Sequence, residues 1–176
     1  MTITALENEL RSAHRIAQRL ERSLESTRRL IPLDANAIKK LTDEDQEKID
    51  ALLLRFVSLA SMIQDRIARS VLLLEEENLT NASRKDMRLM LEKLGALREE
   101  REFGIIVELR NLIAHTYPED LDRQAQIINT VHLRGPDLIE AFKDMTNYVS
   151  RKFLNMQFPS LNGCDENSDA RPCGGL

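Results

Sequence analysis

The chain has 176 residues, of which 42% are hydrophobic, 31% are charged and only 4% are aromatic. This length allows one domain with a substantial core, and the scarcity of aromatic residues means that aliphatic side chains must build most of it. The formal net charge of -4 excludes nucleic-acid binding through overall basicity, so any contact with RNA or DNA must use a local basic cluster.

The first predicted helix runs from about Ile3 to Leu30, because small and aliphatic residues recur along it at helical spacing. Pro32 interrupts the pattern in the link that follows. A second helix is predicted to start after Thr42, whose side chain can cap it while the acidic residues 43–45 favour its positive end. The second pattern continues for about thirty residues, long enough to traverse a small bundle.

A third helix is predicted between Ser83 and Gly95. Ser83 is the expected N-cap, Asp86 stands three residues later as in a capping box, and Gly95 is a suitable C-terminal stop. A fourth helix runs from about Arg98 into the segment ELRNLIAHTYPED, residues 108–120. A fifth follows Pro118 and is expected to kink or restart at Gly135-Pro136.

These patterns predict an all-α fold, an up-and-down helical bundle of about five helices occupying residues 1–158. Residues 159–176 are polar, interrupted by Gly and Pro, and expected to be disordered. Both cysteines lie in that tail, at a spacing that matches no zinc or redox motif. No apolar run is long enough to span a membrane and the N-terminus lacks the apolar core of a signal peptide, so a cytoplasmic protein is expected.

The fourth helix has two contrasting faces when residues are placed at about 100° per step. One stripe is expected to be buried in the core and consists of Ile105, Ile106, Leu109, Leu112 and Ile113. Arg110 and His115 border the opposite face, and between them lie Phe103, Gly104, Val107, Asn111 and Ala114. Because that second face is small and apolar in its middle, we expect it to meet a second copy of the chain in a two-fold dimer.

Pro118 constrains the end of the same helix. The residue before a proline is pushed out of the α region, so Tyr117 is expected to be extended and to stand at a helix–helix corner. Thr116 and Glu119 have the spacing of a capping box for the next helix. A purely structural interpretation also stays open, since the helix dipole alone favours Arg and His near a C-terminus and Tyr-Pro is common in turns.

The residues Arg110, Asn111, His115 and Tyr117 resemble the hallmark of the HEPN domain, a small helical family. That hallmark is Arg, a polar residue, three further positions, His, any residue and Tyr. The closest resemblance is to the HEPN toxin of HEPN–MNT toxin–antitoxin pairs. This resemblance covers residues from about 45 to 155, but its specific features lie almost wholly within residues 108–118. The resemblance implies a homodimer formed through the motif helix.

The resemblance further implies a metal-independent endoribonuclease with a composite site at the dimer interface. A ribose 2′-hydroxyl would attack the adjacent phosphorus, leaving a 2′,3′-cyclic phosphate and a free 5′-hydroxyl. His115 would transfer protons near neutral pH, Arg110 would stabilise the phosphoryl oxygens and Asn111 would position them. No metal or cofactor is implied for this chain. His14 and His132 are expected at the surface or in helix packing, and the acidic run 75–77 as a solvated helix end.

The resemblance also implies a protein partner. The MNT antitoxin, a minimal nucleotidyltransferase, would transfer AMP from ATP to Tyr117, and the added anionic group would screen the phosphate site. ATP and magnesium would then be used by the partner. Two alternatives remain: a HEPN accessory protein without nuclease activity that binds a nucleotidyltransferase or a nucleotide, and a structural helical dimer.

Overall fold

The computed structural model describes residues 2–115 and 120–154. Within these residues the regular secondary structure is helical throughout and no strand occurs, which confirms the all-α prediction. The predicted tail of residues 159–176 lies outside the described residues. The described helices are, in chain order, α1 (Ile3–Thr27), α2 (Ala35–Ile38), α3 (Asp43–Met62), α4 (Ala68–Leu74), α5 (Arg84–Leu94), α6 (Glu100–Ala114) and α7 (Leu121–Val149).

Shorter helical turns extend three of these helices. A 3-10 turn, Arg28–Leu30, follows α1, and a π-helical turn, Ile63–Ile67, joins α3 directly to α4. The predicted second helix therefore has no non-helical break between α3 and α4, but its hydrogen-bond pattern changes from α to π and back to α. A second π-helical turn, Ser150–Leu154, follows α7.

The helix ends that were predicted from local sequence signals are confirmed. Thr42 Oγ1 accepts the backbone N–H of Asp45 at 3.2 Å. Ser83 and Asp86 form the predicted capping box, with reciprocal backbone-to-side-chain bonds of 3.1 and 2.9 Å. Gly95 ends α5 with a φ of +73°, a left-handed conformation that costs glycine nothing.

One large apolar cluster joins α1, α3, α4, α5, α6 and α7. Helix α1 packs on α3 and α7, α6 packs against both α3 and α7, and α5 rests on α4 and α6. A smaller cluster under the α1–α3 link contains Leu33, Ile49, Ala125 and Ile128. Asn129 of α7 ties that link down, because its side-chain amide bonds both the N–H and the carbonyl of Leu33 at 2.8 Å.

Helix α7 runs through Gly135 and Pro136 as one element. Of the two predicted alternatives, a kink or a restart, the restart is therefore wrong. Proline in a helix interior removes one hydrogen bond and costs about 3 kcal/mol. Close packing offsets that cost, since Gly135 is buried and a Cβ there would lie 2.7 Å from Leu24 Cδ2 of α1. The glycine that looked like a break is where two helices approach each other.

The predicted faces of α6 require a correction. Phe103 and Val107, assigned to the dimer face, are buried in the chain's own core, whereas Leu112, assigned to the core, is 41% exposed. Ile106 and Leu109 are buried as predicted. The buried arc is thus turned by about 80° around the helix, because α6 packs against α3 and α7 on two sides and buries a wider surface than one stripe.

Glu75 also departs from the expected solvated helix end, because its side chain is only 9% exposed. Tyr148 donates its hydroxyl to Glu75 Oε1 at 2.5 Å, and the Lys152 ammonium contacts the other carboxylate oxygen. Burial alone would raise the pKa of Glu75, but the hydrogen bonds from Lys152 and Tyr148 outweigh it and leave the pKa lowered. This cluster ties the end of α4 to the last turns of the chain that the structure describes.

Candidate active site

Arg110 projects from α6 toward the joint between α3 and α4. Its Nε donates to Ser61 Oγ at 3.0 Å and its Nη2 donates to Asp65 Oδ2 at 3.0 Å. Its Nη1 donates to Asn111 Oδ1 at 2.9 Å. All three guanidinium nitrogens are therefore bonded, and the side chain remains 20% exposed, so the arginine is held in place while one edge is open to solvent.

Asp65 belongs to the π-helical turn that joins α3 to α4. Its second oxygen, Oδ1, lies 3.1 Å from Arg84 Nη2 at the start of α5. One carboxylate thus links guanidinium groups from α5 and α6. With two cations and one anion, this cluster carries a formal charge of +1, a local basic site on a chain of net negative charge. π-helical turns of this kind often mark functional sites.

Asn111 and His115 lie on the exposed side of α6. His115 is the C-cap of the helix, with φ -117° and ψ 11°, and its backbone N–H bonds the carbonyl of Leu112 at 3.1 Å. It directly follows the last helical residue, and it is exposed. Ala114, next to it, is also exposed.

The structure brings Arg110 and Asn111 into contact. Asn111 and His115 are four residues apart and lie on the same side of α6, whereas Arg110 and His115 do not. Five residues along an α-helix correspond to about 7.5 Å of rise and about 140° of rotation. Tyr117, the predicted modification site, lies outside the described residues, as do Thr116, Pro118 and Glu119. The predictions about the extended tyrosine and the capping box fall in that segment.

The chemistry available at this site is recognition of a phosphate and proton transfer. A guanidinium can bind two phosphoryl oxygens through parallel hydrogen bonds, and an exposed imidazole can exchange protons near neutral pH. Among the described residues, no group of three or more His, Cys, Asp and Glu side chains is placed to hold a metal ion. In the same part of the chain, no helix is long and apolar enough to cross a membrane.

The other two histidines are partly buried. His132 Nε2 lies 3.0 Å from the carbonyl of Leu24, a contact between α7 and α1. Partial burial lowers the pKa of His14 on α1. His132 thus takes part in helix packing, one of the two environments expected for these histidines.

Sequence reasoning missed Ser61, Asp65 and Arg84. An acidic residue within the apolar stretch SMIQDRIA was the available signal for Asp65, because a charge in such a run needs a partner. No local pattern identifies that partner as an arginine 45 residues later.

Comparison of the chain with protein-family models, with curated protein sequences and with solved structures finds no match.

Proposed function

We propose that this chain is the toxin of a HEPN–MNT type toxin–antitoxin pair, a metal-independent endoribonuclease. The observation that carries the proposal is the sequence motif of Arg110, Asn111, His115 and Tyr117, of which Arg110 and Asn111 lie on α6 and His115 caps its C-terminal end. The first two residues are joined by a 2.9 Å hydrogen bond. That bond gives Asn111 a concrete role, because it fixes one edge of the guanidinium that would bind phosphate.

The proposed reaction is an internal transesterification. The ribose 2′-oxygen forms a bond to phosphorus while the bond from phosphorus to the 5′-oxygen breaks, giving a 2′,3′-cyclic phosphate and a 5′-hydroxyl. His115 exchanges the protons that leave the 2′-hydroxyl and reach the 5′-oxygen, and Arg110 stabilises the charge on the phosphoryl oxygens. These side chains supply both functions without a bound ion.

The site is proposed to be completed by a second copy of the chain. Since Phe103 and Val107 are used in the core, the proposed dimer face is the exposed part of α6. It includes Asn111, Ala114, His115 and the half-exposed Leu112. In a two-fold dimer this face would place Arg110 of one copy near His115 of the other.

Control of the proposed nuclease would come from an MNT-type nucleotidyltransferase. Transfer of AMP from ATP to the Tyr117 hydroxyl would form a phosphodiester, release pyrophosphate and place a new anion near Arg110. ATP and magnesium would be bound by that partner. The homodimer, the antitoxin and RNA are thus the proposed binding partners.

Two observations favour the second candidate, a non-catalytic HEPN accessory protein that binds a nucleotidyltransferase or a nucleotide. All three Arg110 nitrogens are bonded within the chain, and the net charge is -4. An arginine so engaged can serve as a structural tie between helices. The nuclease is preferred because a tie of this kind gives no role to His115.

The test is cleavage of a labelled single-stranded RNA by the purified protein in the presence of EDTA. Wild type and His14→Ala are expected to cleave, and His115→Ala and Arg110→Ala to lose about a hundredfold or more in rate. His14→Ala is the matched control, because it removes a histidine from α1, outside the motif. Equal cleavage by wild type and His115→Ala contradicts the proposal.

Absence of cleavage by wild type has two separable meanings. Intact mass spectrometry showing an added AMP on Tyr117 supports a silenced toxin, which enzymatic removal of the AMP should activate. An unmodified protein that cleaves nothing contradicts the nuclease and supports the accessory protein.

A further inference from the structure

Asp65 is held by two guanidinium groups that come from different helices. Arg110 Nη2 of α6 bonds Oδ2 at 3.0 Å and Arg84 Nη2 of α5 contacts Oδ1 at 3.1 Å. Each arginine therefore addresses a different oxygen of the same carboxylate. The Arg84 side chain is 61% exposed and the Arg110 side chain is 20% exposed, so each guanidinium has surface that an anion from solvent can reach.

A phosphodiester presents two non-bridging oxygens in much the same way as a carboxylate presents its two. Guanidinium groups bind both anions through charge-assisted hydrogen bonds of similar geometry. The positions of the two arginines around Asp65 are thus suitable for one phosphate of an RNA strand. Ser61 on the remaining side of Arg110 keeps the guanidinium oriented if the carboxylate leaves.

We propose that Arg84 and Arg110 together bind one RNA phosphate, and that Asp65 is the internal anion which this phosphate replaces. The inference rests on the proposed function, since it assigns to the same site a second phosphate-binding residue. Arg84 lies outside the motif, on a helix whose start is set by the Ser83 capping box.

The charges of Asp65 and the two arginines predict in which direction each substitution changes the affinity for RNA. Asp65 stabilises the two arginines against each other in the free protein but repels an incoming phosphate. Replacing Asp65 by the neutral asparagine removes that repulsion, whereas removing Arg84 deletes one of the two phosphate ligands. The two substitutions should therefore change affinity for RNA in opposite directions.

The experiment measures the affinity of the full chain for a fluorescent single-stranded 2′-O-methyl RNA, which lacks the attacking hydroxyl and stays intact. Arg84→Ala is expected to weaken binding about tenfold. It should also reduce the slope of log affinity against log salt by about 0.7. Asp65→Asn is expected to tighten binding about threefold. Arg84→Lys should recover part of the affinity, because it keeps the charge and loses the planar geometry.

Arg98→Ala is the matched control. Arg98 is similarly exposed and forms an ion pair of 3.0 Å with Asp144 on α7, so its removal changes the net charge by the same amount. Unchanged binding in Arg84→Ala, an equal loss in Arg98→Ala, weaker binding in Asp65→Asn, or no binding by wild type would each overturn the inference.

Binding to this probe is independent of cleavage, so the two proposals can fail separately. If the variants bind as expected but wild type that carries no added AMP leaves RNA with free 2′-hydroxyls intact, the phosphate site stands and the nuclease does not. If wild type cleaves RNA and Arg84→Ala binds like wild type, the nuclease stands and Arg84 has no part in the site.

Discussion

Arg110 and His115 leave α6 in different directions. The Arg110 guanidinium reaches back to Ser61 and Asp65 in the bundle, whereas His115 is exposed at the C-terminal end of the same helix. About 140° of helix rotation separates the two residues. Within one chain they are poorly placed to act on the same phosphate. A dimer can bring them together, because the histidine of one copy can approach the arginine of the other.

This divergence predicts that two inactive variants complement each other. In a mixed dimer of Arg110→Ala and His115→Ala, one of the two sites contains an intact arginine and an intact histidine. Random pairing of equal amounts should restore about a quarter of the wild-type cleavage rate. The measurement is RNA cleavage after the two proteins are mixed under conditions that allow subunit exchange.

The control for complementation is each variant mixed with itself at the same total concentration, which should stay inactive. The double variant Arg110→Ala/His115→Ala mixed with wild type serves as a second control. Each site of a mixed dimer then lacks either the arginine or the histidine, so only wild-type homodimers should cleave RNA. Mixed single variants that stay inactive, while native mass spectrometry shows that the heterodimer has formed, would contradict a site shared in this way.

Glu75 predicts a dependence of stability on pH. Its pKa is lowered in the folded chain, so its contribution to stability is present above the unfolded value of about 4.3 and is lost as pH falls through the folded value. Tyr148→Phe removes one of the bonds that stabilise the carboxylate and should cost about 1–2 kcal/mol at pH 7. Urea unfolding at pH 7 and below pH 4 measures the change, and the cost should shrink in acid. A cost that is the same at both pH values would contradict the assigned role of the carboxylate.

The two hydrogen bonds of Asn129 to Leu33 are expected to stabilise the link between α1 and α3. Asn129→Ala removes two hydrogen bonds and leaves the N–H and the carbonyl of Leu33 without these partners, so we expect a loss of about 2 kcal/mol. Thermal unfolding should show a decrease of about 4–8 °C in Tm for a chain of this size. Gln126→Ala, an exposed position one turn earlier in α7, should change Tm little. A similar Tm for both variants would count against this role of Asn129.

The close approach of Gly135 to Leu24 predicts that substitutions at the two positions have coupled effects on stability. Gly135→Ala gains about 1 kcal/mol in helix propensity but forces its Cβ against the Leu24 side chain, and overpacking costs about 1–3 kcal/mol. We expect a net loss in wild type, and a net gain when the same change is made in Leu24→Ala, where space is available. A double-mutant cycle in urea measures the coupling. Additive effects would show that the close approach carries no energetic weight.

The helix ends could be read from the sequence because their causes are local. Thr42, Ser83 with Asp86, and Gly95 each act through neighbours within four residues, and each was found where predicted. The path of α7 through Pro136 could not be read in this way. It depends on Leu24 of α1, more than one hundred residues away, whose contact makes the glycine a packing position.

The candidate site was predictable to a smaller extent. The motif residues and their spacing are visible in the sequence, but the direction of Arg110 depends on Ser61 and Asp65, and the buried arc of α6 depends on two neighbouring helices. A single-helix projection assumes one buried stripe, so it assigned Phe103 and Val107 to the wrong surface. Tertiary packing decides such faces, and composition alone does not.

The most direct measurement of the central claim is the identity of the RNA ends after cleavage. Mass spectrometry of the products formed with EDTA should show 2′,3′-cyclic phosphates on one fragment and 5′-hydroxyls on the other, and neither in reactions with His115→Ala. These ends follow from attack by the neighbouring 2′-hydroxyl. Products with 3′-hydroxyl and 5′-phosphate ends would instead require an attacking water, and they would contradict the assigned roles of Arg110 and His115.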